Sequence, residues 1–475
     1  MLFNSSSFLV FLPIVFALYW LSTPGRRQWQ NGVLLIASYV FYGWWDWRFL
    51  LLLAFSTALD YVAGLAVHNA GSEKTRRIWL WATVALNLGL LGFFKYFNFF
   101  IDSAVRLLEL LGFQANPWSL NVILPIGISF YTFHGLSYVI DVYFKRIAPS
   151  RDPLTYAVFV CYFPLLVAGP IERATNLLPQ LEKPRTFDYR LAVDGLRIIL
   201  WGFFKKLVIA DTMAQEVNDI FSEYDTQKGG TLILGAVYFA IQVYHDFGGY
   251  TDIARGVSRL LGIEVLENFR TPYLSRSIPE FWSRWHISLS SWLNDYVFTP
   301  FAIEFRHWGK HGIFAAVMVT FVLSGLWHGP SWHFVAWGAF HGLLYIPYVY
   351  RKKGLRSLTA RKDLPLSYMQ IPSMLLTFAL VCIGYILFRA ESLGHAMGYL
   401  RQLVVNKPYA VDPYYLKAGF NIMIPLSFLI DFLYRRGYFT GRYGTRGLVI
   451  ESVILALLIA VLGNFGSVEF IYFQF

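Results

Sequence analysis

The sequence predicts an all-α, polytopic integral membrane protein. Of its 475 residues, 56% are hydrophobic and only 15% are charged, whereas a soluble domain usually carries about 25% charged residues. Apolar runs that can span a bilayer, or form part of a span, recur along the chain. We expect roughly eleven to thirteen such segments, some of them re-entrant, because backbone that enters lipid must satisfy its own hydrogen bonds.

The apolar runs follow one another without a long hydrophilic stretch. The chain opens with MLFNSSSFLVFLPIVFALYW, which has neither a basic start nor a small-residue cleavage site and is interpreted as a retained anchor. Later runs are 79–94, 232–242, 313–327, 374–388 and 448–462. Two cysteines, Cys161 and Cys382, lie in apolar runs and indicate packing rather than a disulfide. A single integral-membrane domain over 1–475 is expected.

The net charge of +11 is interpreted as a sign of membrane topology, and no nucleic-acid partner is expected. Basic clusters fall between the apolar runs, at 26–27, 74–77, 145–151, 351–362 and 435–446. Cytoplasmic loops of membrane proteins carry the excess of Lys and Arg, so these loops are expected on the cytoplasmic side. The N-terminus and the tail 466–475, which follows one final span, are then expected on the extracytoplasmic side.

One segment is too polar for a lipid-facing span. The stretch 269–301, FRTPYLSRSIPEFWSRWHISLSSWLNDYVFTPF, places Arg284, His286 and Asp295 among tryptophans. Polar groups at this density need a cavity or a hydrogen-bonded network. The alternative is an amphipathic helix at the membrane interface, with its tryptophans as belt residues.

The apolar stretch SGLWHGPSWHFVAWGAFHGL contains three histidines. Gly329 and Pro330 predict a helix break directly after His328, and Pro330 is suited to begin the next helix. A break at membrane depth is tolerated where the backbone faces a cavity, and a polar ring there is costly unless it has a function. His333 and His341 instead share one helical face with Trp337, which is more typical of internal packing with a hydrogen-bonded ring.

His307 and His311 have the four-residue spacing of a metal-binding pair. They lie in the basic loop EFRHWGKHG, with no carboxylate at metalloprotease spacing. We interpret them as solvated loop residues and expect no metal site.

These motifs resemble the membrane-bound O-acyltransferase family, in its bacterial branch that modifies alginate and teichoic acid. FWSRWHISLSSWLNDYVFTPF and SGLWHG carry the likeness. LPIGISFYTFHGLSYVIDVY, FPLLVAGPIER, GFFKKLVIAD and DFGGYTDIARG extend it over nearly the whole chain. His245 departs from the family pattern and is given no role. The resemblance implies a ring of tilted helices around a central tunnel, which joins a cytoplasmic donor pocket to an outward funnel.

The resemblance also implies the catalytic residues. The family's invariant histidine falls on His328, and a second polar position falls on His286. Acyl transfer needs a hydroxyl made nucleophilic, and a neutral imidazole can take its proton. We assign this general-base role to His328. His286 would position the acyl group or share the proton, and amides of the helix after Pro330 would stabilise the oxyanion.

A bacterial inner-membrane O-acetyltransferase is therefore expected. The donor would be acetyl-coenzyme A, whose phosphates suit basic cytoplasmic loops, and no bound cofactor is expected. The acceptor would be an alginate-like exopolysaccharide or a cell-wall glycan, reached through an extracytoplasmic serine esterase-like (SGNH) acetyltransferase; membrane lipids are the other expected partners. A transporter or flippase, and a structural subunit of a polysaccharide export complex, stay open as alternatives.

The closing FIYFQF bears on the acceptor. The spacing of Phe470, Tyr472 and Phe475 resembles the C-terminal acyl-carrying motif of the small companion protein in teichoic acid D-alanylation. Here the motif is joined to the enzyme, and Tyr472 would accept the acyl group and pass it to the partner. An aromatic anchor at the membrane surface is the alternative, because Tyr and Phe are ordinary there.

Overall fold

The computed structural model describes residues 1–21, 26–114, 120, 122–351, 368–406, 409–417, 419–438, 445–466 and 470–471. These residues form helices joined by turns, and no strand occurs among them. The prediction of an all-α protein is therefore confirmed for the part of the chain that the structure describes.

The α-helices, numbered in chain order, are α1 (Ser6–Trp20), α2 (Arg27–Asp46), α3 (Phe49–Asn69), α4 (Glu73–Leu91), α5 (Phe97–Leu110), α6 (Ile128–Tyr143), α7 (Pro153–Cys161), α8 (Ala174–Leu181), α9 (Tyr189–Phe203), α10 (Asp211–Ser222), α11 (Gly229–Leu260), α12 (Ile278–Trp282), α13 (Ile287–Leu293), α14 (Thr299–Glu304), α15 (Lys310–His328), α16 (Trp332–Leu343), α17 (Ile346–Tyr350), α18 (Ile371–Arg389), α19 (Leu393–Val405), α20 (Pro413–Lys417), α21 (Met423–Arg435) and α22 (Thr445–Leu462). Short π-helices occupy Gly92–Tyr96, Phe204–Ala210 and Asn294–Phe298, and 3₁₀ turns occupy Pro272–Leu274, Phe305–Trp308, Tyr368–Gln370 and Gly419–Ile422.

Several helical stretches are long and apolar enough to cross a membrane. Within the described ranges there are four, Phe49–Asn69, Glu73–Leu110, Lys310–His328 and Tyr368–Arg389. Helix α1 is also apolar but shorter. The protein is thus a multi-pass membrane protein.

Serine residues begin several of these helices. Ser5 accepts a hydrogen bond from the Phe8 N–H at 3.3 Å, Ser72 from the Thr75 N–H at 3.1 Å, and Ser392 from the His395 N–H at 3.1 Å. Each hydroxyl satisfies one of the backbone donors that the first turn of a helix leaves open.

Contacts within the chain define two compact units, which are described separately. The first comprises 1–199 and 253–266. In this unit α3 and α6 approach closely, because a Cβ added at Gly64 would lie 2.4 Å from the Tyr138 ring. The Asp60 carboxylate, also on α3, accepts a hydrogen bond from the Asn87 amide at 2.7 Å.

The second unit comprises 200–252 and 267–475. Its helices α15 and α16 form a tight antiparallel hairpin. A Cβ at Gly325 would lie 2.1 Å from the carbonyl oxygen of Phe334, and one at Gly338 would lie 2.2 Å from that of Phe321. Glycine at both positions lets the two backbones meet. This hairpin places the break after His328 at a fixed point in the unit.

Candidate functional site

His328 lies where the structure breaks one helix and begins another. It is the last residue of α15, and Gly329 continues in an extended conformation with φ −165°. The predicted break is confirmed. Helix α16, however, begins at Trp332 and not at Pro330, because Ser331 takes the extended conformation (φ −150°, ψ 149°) of a residue that precedes a helix.

The His328 ring is enclosed by aromatic side chains from three helices. It is 8% exposed, and its centroid lies 4.9 Å from that of Trp327, 5.1 Å from Trp337 and 5.0 Å from Phe388. Trp337 and Phe388 meet the imidazole nearly at right angles, at 88° and 79°. A wall of this kind holds the imidazole in one orientation and limits access of water to it.

His286 is held in a backbone conformation that non-glycine residues rarely adopt. It precedes α13 with φ 44° and ψ 53°, in the left-handed region, which costs about 1–3 kcal/mol. The Ile287 N–H donates to the Asn268 carbonyl at 2.9 Å, and the His286 carbonyl accepts from the Ser290 N–H at 2.9 Å. Backbone strain of this kind is concentrated at functional sites.

The His286 side chain is buried and neutral. It is 1% exposed, and burial lowers the pKa of His286 to about 3, because a charged ring would lose its hydration. The neutral form leaves one ring nitrogen able to accept a proton or a hydrogen bond.

Trp327 connects the two predicted catalytic histidines. Its ring centroid lies 4.9 Å from that of His328 and 6.0 Å from that of His286. The two imidazole centroids are therefore separated by no more than the sum of these distances. The structure thus brings together two residues that are 42 positions apart in the sequence.

The first part of the polar segment 269–301 forms a buried network in this unit, whereas Asn294 and Asp295 are exposed. Ser288 donates to the Asn268 side-chain oxygen at 2.5 Å, and the Asn268 amide donates to Thr251 at 3.2 Å. The Glu280 carboxylate pairs with Arg276 at 2.8 Å and with Arg284 at 3.3 Å. The tryptophans of the segment are buried in protein, which favours the predicted network over an interfacial belt.

His333 and His341 lie inside the protein, as expected of packing residues. The His333 Nδ1 lies 3.0 Å from the carbonyl oxygen of Leu387. The His341 ring packs against Trp282 and Trp337, with both centroid distances at 5.1 Å. Their surroundings explain both histidines without a catalytic role.

His307 and His311 are exposed, and the Tyr350 hydroxyl lies 2.7 Å from the His311 Nδ1. Among the residues that the structure describes, no three His, Cys, Asp or Glu side chains are grouped as metal ligands.

A cavity of about 160 Å³ lies one helical turn from each of the two histidines. Its lining includes Ser290, four residues after His286, and Ser324, four residues before His328. The rest of the lining is mainly apolar and includes Trp282, Leu289 and Phe321.

Residues near the end of the sequence reach the same site. The Phe470 ring stacks on Tyr250 at 4.7 Å and lies 6.1 Å from Phe247. Phe247 in turn meets the edge of His286 at 4.7 Å. The backbone N–H of Ile471 donates to Asp246 at 2.7 Å. Tyr472 and Phe475 lie outside the described residues.

Sequence reasoning did not single out Trp327, Phe247 or Asp246 as site residues. Aromatic rings are too common in this chain, at 19% of residues, to mark a site by themselves. Asp246 did carry a signal, because a carboxylate in the middle of the long helix α11 needs a partner when it is buried.

The sequence is similar to that of known membrane-bound acyltransferases. Residues 145–365 match MBOAT, the membrane-bound O-acyltransferase family. The chain is 40% identical over 396 residues to the probable alginate O-acetylase AlgI of Pseudomonas putida, an alignment that covers 83% of this chain and 78% of that protein. The chain belongs to the membrane-bound O-acyltransferase family. Its reaction class is accordingly O-acyl transfer.

Two further relatives of the acyltransferase act on cell-wall polymers, by their names. The peptidoglycan O-acetyltransferase of Helicobacter pylori is 30% identical, over 85% of this chain and 80% of that protein. The teichoic acid D-alanyltransferase of Bacillus subtilis is 29% identical, over 58% of this chain and 71% of that protein. His286 and His328 of the acyltransferase lie within the residues that match the family, whereas Phe470 and Ile471 lie beyond them.

Proposed function

We propose that the acyltransferase takes acetyl groups from cytoplasmic acetyl-coenzyme A and delivers them across the bacterial inner membrane. The delivered group O-acetylates an exopolysaccharide such as alginate, or a cell-wall glycan. The names of the relatives that cover most of the chain support both the acetyl group and a polysaccharide acceptor. The observation that carries the proposal is the contact of the His328 and His286 rings with one tryptophan, at a helix break.

His328 acts as the general base. Its imidazole takes the proton of the acceptor hydroxyl while that oxygen attacks the carbonyl carbon of the thioester. The carbon–oxygen bond forms, the carbon–sulfur bond breaks, and the proton passes from the imidazole to the departing thiolate. The N-terminal amides of α16 face the break and stabilise the oxyanion. His286 positions the acyl group.

The path of the acetyl group completes the proposal. The helices of a single domain, 1–475, surround a tunnel from a cytoplasmic donor pocket to an outward funnel. The N-terminus and the tail 466–475 lie on the extracytoplasmic side, where an SGNH-type acetyltransferase receives the acetyl group and modifies the glycan. Basic loops between apolar runs support this orientation.

Tyr472 is the acceptor of the first transfer. Burial of the neighbouring Phe470 and Ile471, each 2% exposed, and the contact of Phe470 with the Phe247 ring beside His286 support this role. The phenol oxygen forms the ester, and phenolate is a better leaving group than an alkoxide when the partner discharges it. A surface anchor would need only the aromatic ring of Tyr472. An acyl relay, in which Tyr472 accepts the acetyl group and passes it on, also needs the hydroxyl oxygen of Tyr472.

Transfer in membrane vesicles of known orientation tests the proposal. Acetyl-coenzyme A labelled in its acetyl group is supplied to one face at a time, with the glycan and the partner protein on the other. Label should reach the glycan only from the cytoplasmic face, with release of one thiol for each acetyl group transferred. Glycan transport without release of thiol would instead establish a transporter.

The variant Tyr472→Phe separates the relay from the anchor, because it keeps the ring and removes the oxygen. We expect it to abolish glycan acetylation and the label on residue 472 detected by mass spectrometry. Normal acetylation by this variant would show that His328 activates a hydroxyl of the partner directly.

A further inference from the structure

Three ionisable side chains lie buried together in the second unit. The Lys206 Nζ lies 2.7 Å from the Asp211 carboxylate and 2.7 Å from the Asp246 carboxylate. All three residues are buried, and burial of each charge costs several kcal/mol before pairing. One lysine already balances one aspartate, so the second carboxylate has a role other than neutralising Lys206.

Asp246 uses its second carboxylate oxygen to bind Ile471, in the described part (residues 470–471) of the FIYFQF segment. Oδ1 faces Lys206, and Oδ2 accepts the Ile471 backbone N–H at 2.7 Å. A hydrogen bond to a carboxylate is about twice as strong as one between neutral groups. The same helix, α11, supplies Phe247 and Tyr250, which contact the Phe470 ring. One helix therefore holds both the backbone and an aromatic side chain of this segment.

The π-helix Phe204–Ala210 binds the chain at a second point, Asn464, which lies six residues before Phe470. Directly after this π-helix, the Asp211 N–H donates to the carbonyl of Lys206, five residues back. In an α-helix this donor would take the Leu207 carbonyl. The π-turn leaves that carbonyl to accept the Asn464 N–H at 2.9 Å, and the Asn464 amide also donates to the Asp211 carbonyl at 3.1 Å.

We propose that Lys206, Asp211 and Asp246 form a latch, which holds residues 470–471 of the FIYFQF segment against the acyl-transfer site. Asp246 is the positioning residue. It fixes the backbone N–H of Ile471, the residue before Tyr472, while the Phe470 ring contacts Phe247 beside His286. Lys206 holds the Asp246 carboxylate in place, and Asp211 holds Lys206. The inference deepens the proposed function and rests on it for the role of Tyr472.

The charges of the latch make Asp246 the informative position to change. In Asp246→Ala, Lys206 still has Asp211, so the variant leaves a balanced buried pair and does not strand a cation. A matched control exists on the same helix and beside the same lysine. Lys205 pairs with Asp252 at 2.6 Å, and Asp252→Ala breaks that pair while leaving the hydrogen bond between Asp246 and Ile471 in place.

The experiment measures where the segment lies, separately from what it does. The parent is Ile471→Cys in a chain whose two buried cysteines, Cys161 and Cys382, are replaced by alanine. Thiol labelling of residue 471 in membranes is followed with a maleimide, and acetylation is measured in the vesicle assay. The substituted cysteine keeps the backbone N–H that Asp246 binds.

Asp246→Ala should raise the labelling rate at residue 471 and lower acetyl transfer, each by at least about tenfold, the effect of losing a hydrogen bond to a charged group. The KM for acetyl-coenzyme A should stay at the parent value while kcat falls, because the donor site is intact. Asp252→Ala should change neither labelling nor transfer. If Asp246→Ala does not accumulate, the nearly isosteric Asp246→Asn answers the same question.

Unchanged labelling in the Asp246 variant refutes the latch. Faster labelling with parental acetylation refutes the positioning role, because the segment would then be released without consequence. A parent that binds acetyl-coenzyme A but acetylates nothing counts against the proposed function, while the labelling rates still decide whether the latch exists.

Discussion

Two buried histidines, one in each compact unit, occupy opposite kinds of position. His134 lies in the middle of α6, and its Nε2 accepts the Glu172 backbone N–H at 3.1 Å. The Glu172 carboxylate continues this network to the Asn176 amide at 2.8 Å. His328 ends a helix instead, and its ring lies among Trp327, Trp337 and Phe388.

Burial alone therefore does not support the catalytic role proposed for His328, because His134 is buried as well. The His134 ring is used by the fold, because it ties a loop to a helix through a backbone amide. At the end of α15 the break itself sets the direction of the His328 ring, and three helices supply its walls. The proposed role of His328 therefore rests on its position at a helix end and not on its exposure, since both residues are buried.

The largest expected effect on acetyl transfer comes from replacing each of these two histidines separately by alanine. His328→Ala should lower acetyl transfer by about 10²–10⁴-fold, the usual contribution of a general base, with normal accumulation in the membrane. His134→Ala should instead reduce the amount of folded protein and leave transfer per folded molecule unchanged, because it strands a buried amide at a cost of about 1–3 kcal/mol. Quantitative blots with the vesicle assay measure both. If the two variants fail in the same way, the distinction is wrong.

The next largest effect, on stability and on transfer rate, is expected from overpacking the α15–α16 hairpin that positions His328. In Gly325→Ala the added methyl group meets the Phe334 carbonyl, and overpacking of this kind costs about 1–3 kcal/mol. Thermal unfolding in detergent should show a lower Tm and a lower transfer rate. Gly32→Ala in α2 is the control, because nothing lies within 4 Å of its added Cβ and alanine favours a helix. A Tm for Gly325→Ala equal to that of the control would contradict the close approach.

A smaller effect separates chemistry from strain at position 286. His286→Gly and His286→Ala both remove the imidazole and should both lower transfer. Glycine accepts the left-handed backbone, so the glycine variant should be more stable than the alanine variant by about 1 kcal/mol. Denaturation midpoints compare the two. An alanine variant as stable as the glycine variant would mean that residue 286 is not held at positive φ.

The smallest effect is expected at the exposed histidines. His311→Ala removes one contact with Tyr350 and should change stability by no more than about 0.5 kcal/mol, as surface substitutions usually do. Transfer and the metal content of the purified protein should both match the wild type. Loss of a bound metal in this variant would revive a metal pair at His307 and His311.

The sequence was most informative where the physical signal is local. Gly329 and Pro330 predict the break after His328, and the charge density around His286 predicts a buried network. The exact start of α16 was missed, because the extended conformation of Ser331 follows from how the chain turns back on the tight hairpin. The all-helical class followed from composition and from the recurring apolar runs, whereas the helix ring and its tunnel remain predictions.

Long-range partners could not be read from the sequence. Lys206 and Asp246 are 40 positions apart, and no spacing rule pairs them. The π-turn before Asp211 has no residue signature, yet it alone makes the Leu207 carbonyl available to Asn464. Trp327 was visible in the motif, but its contact with His286 depends on tertiary packing.

The close glycine contacts of α15 and α16 also restrict how the site can open. Because the Gly325 and Gly338 backbones lie directly against the carbonyls of Phe334 and Phe321, the two helices cannot slide past each other without a steric clash. A change in access to His328 is therefore expected to involve the Phe388 side chain of α18, which contacts the His328 ring from outside the hairpin. The Phe388 ring is itself buried against Phe334 and Trp337, so its rotation requires small shifts of these neighbouring rings but no rearrangement of the hairpin backbone.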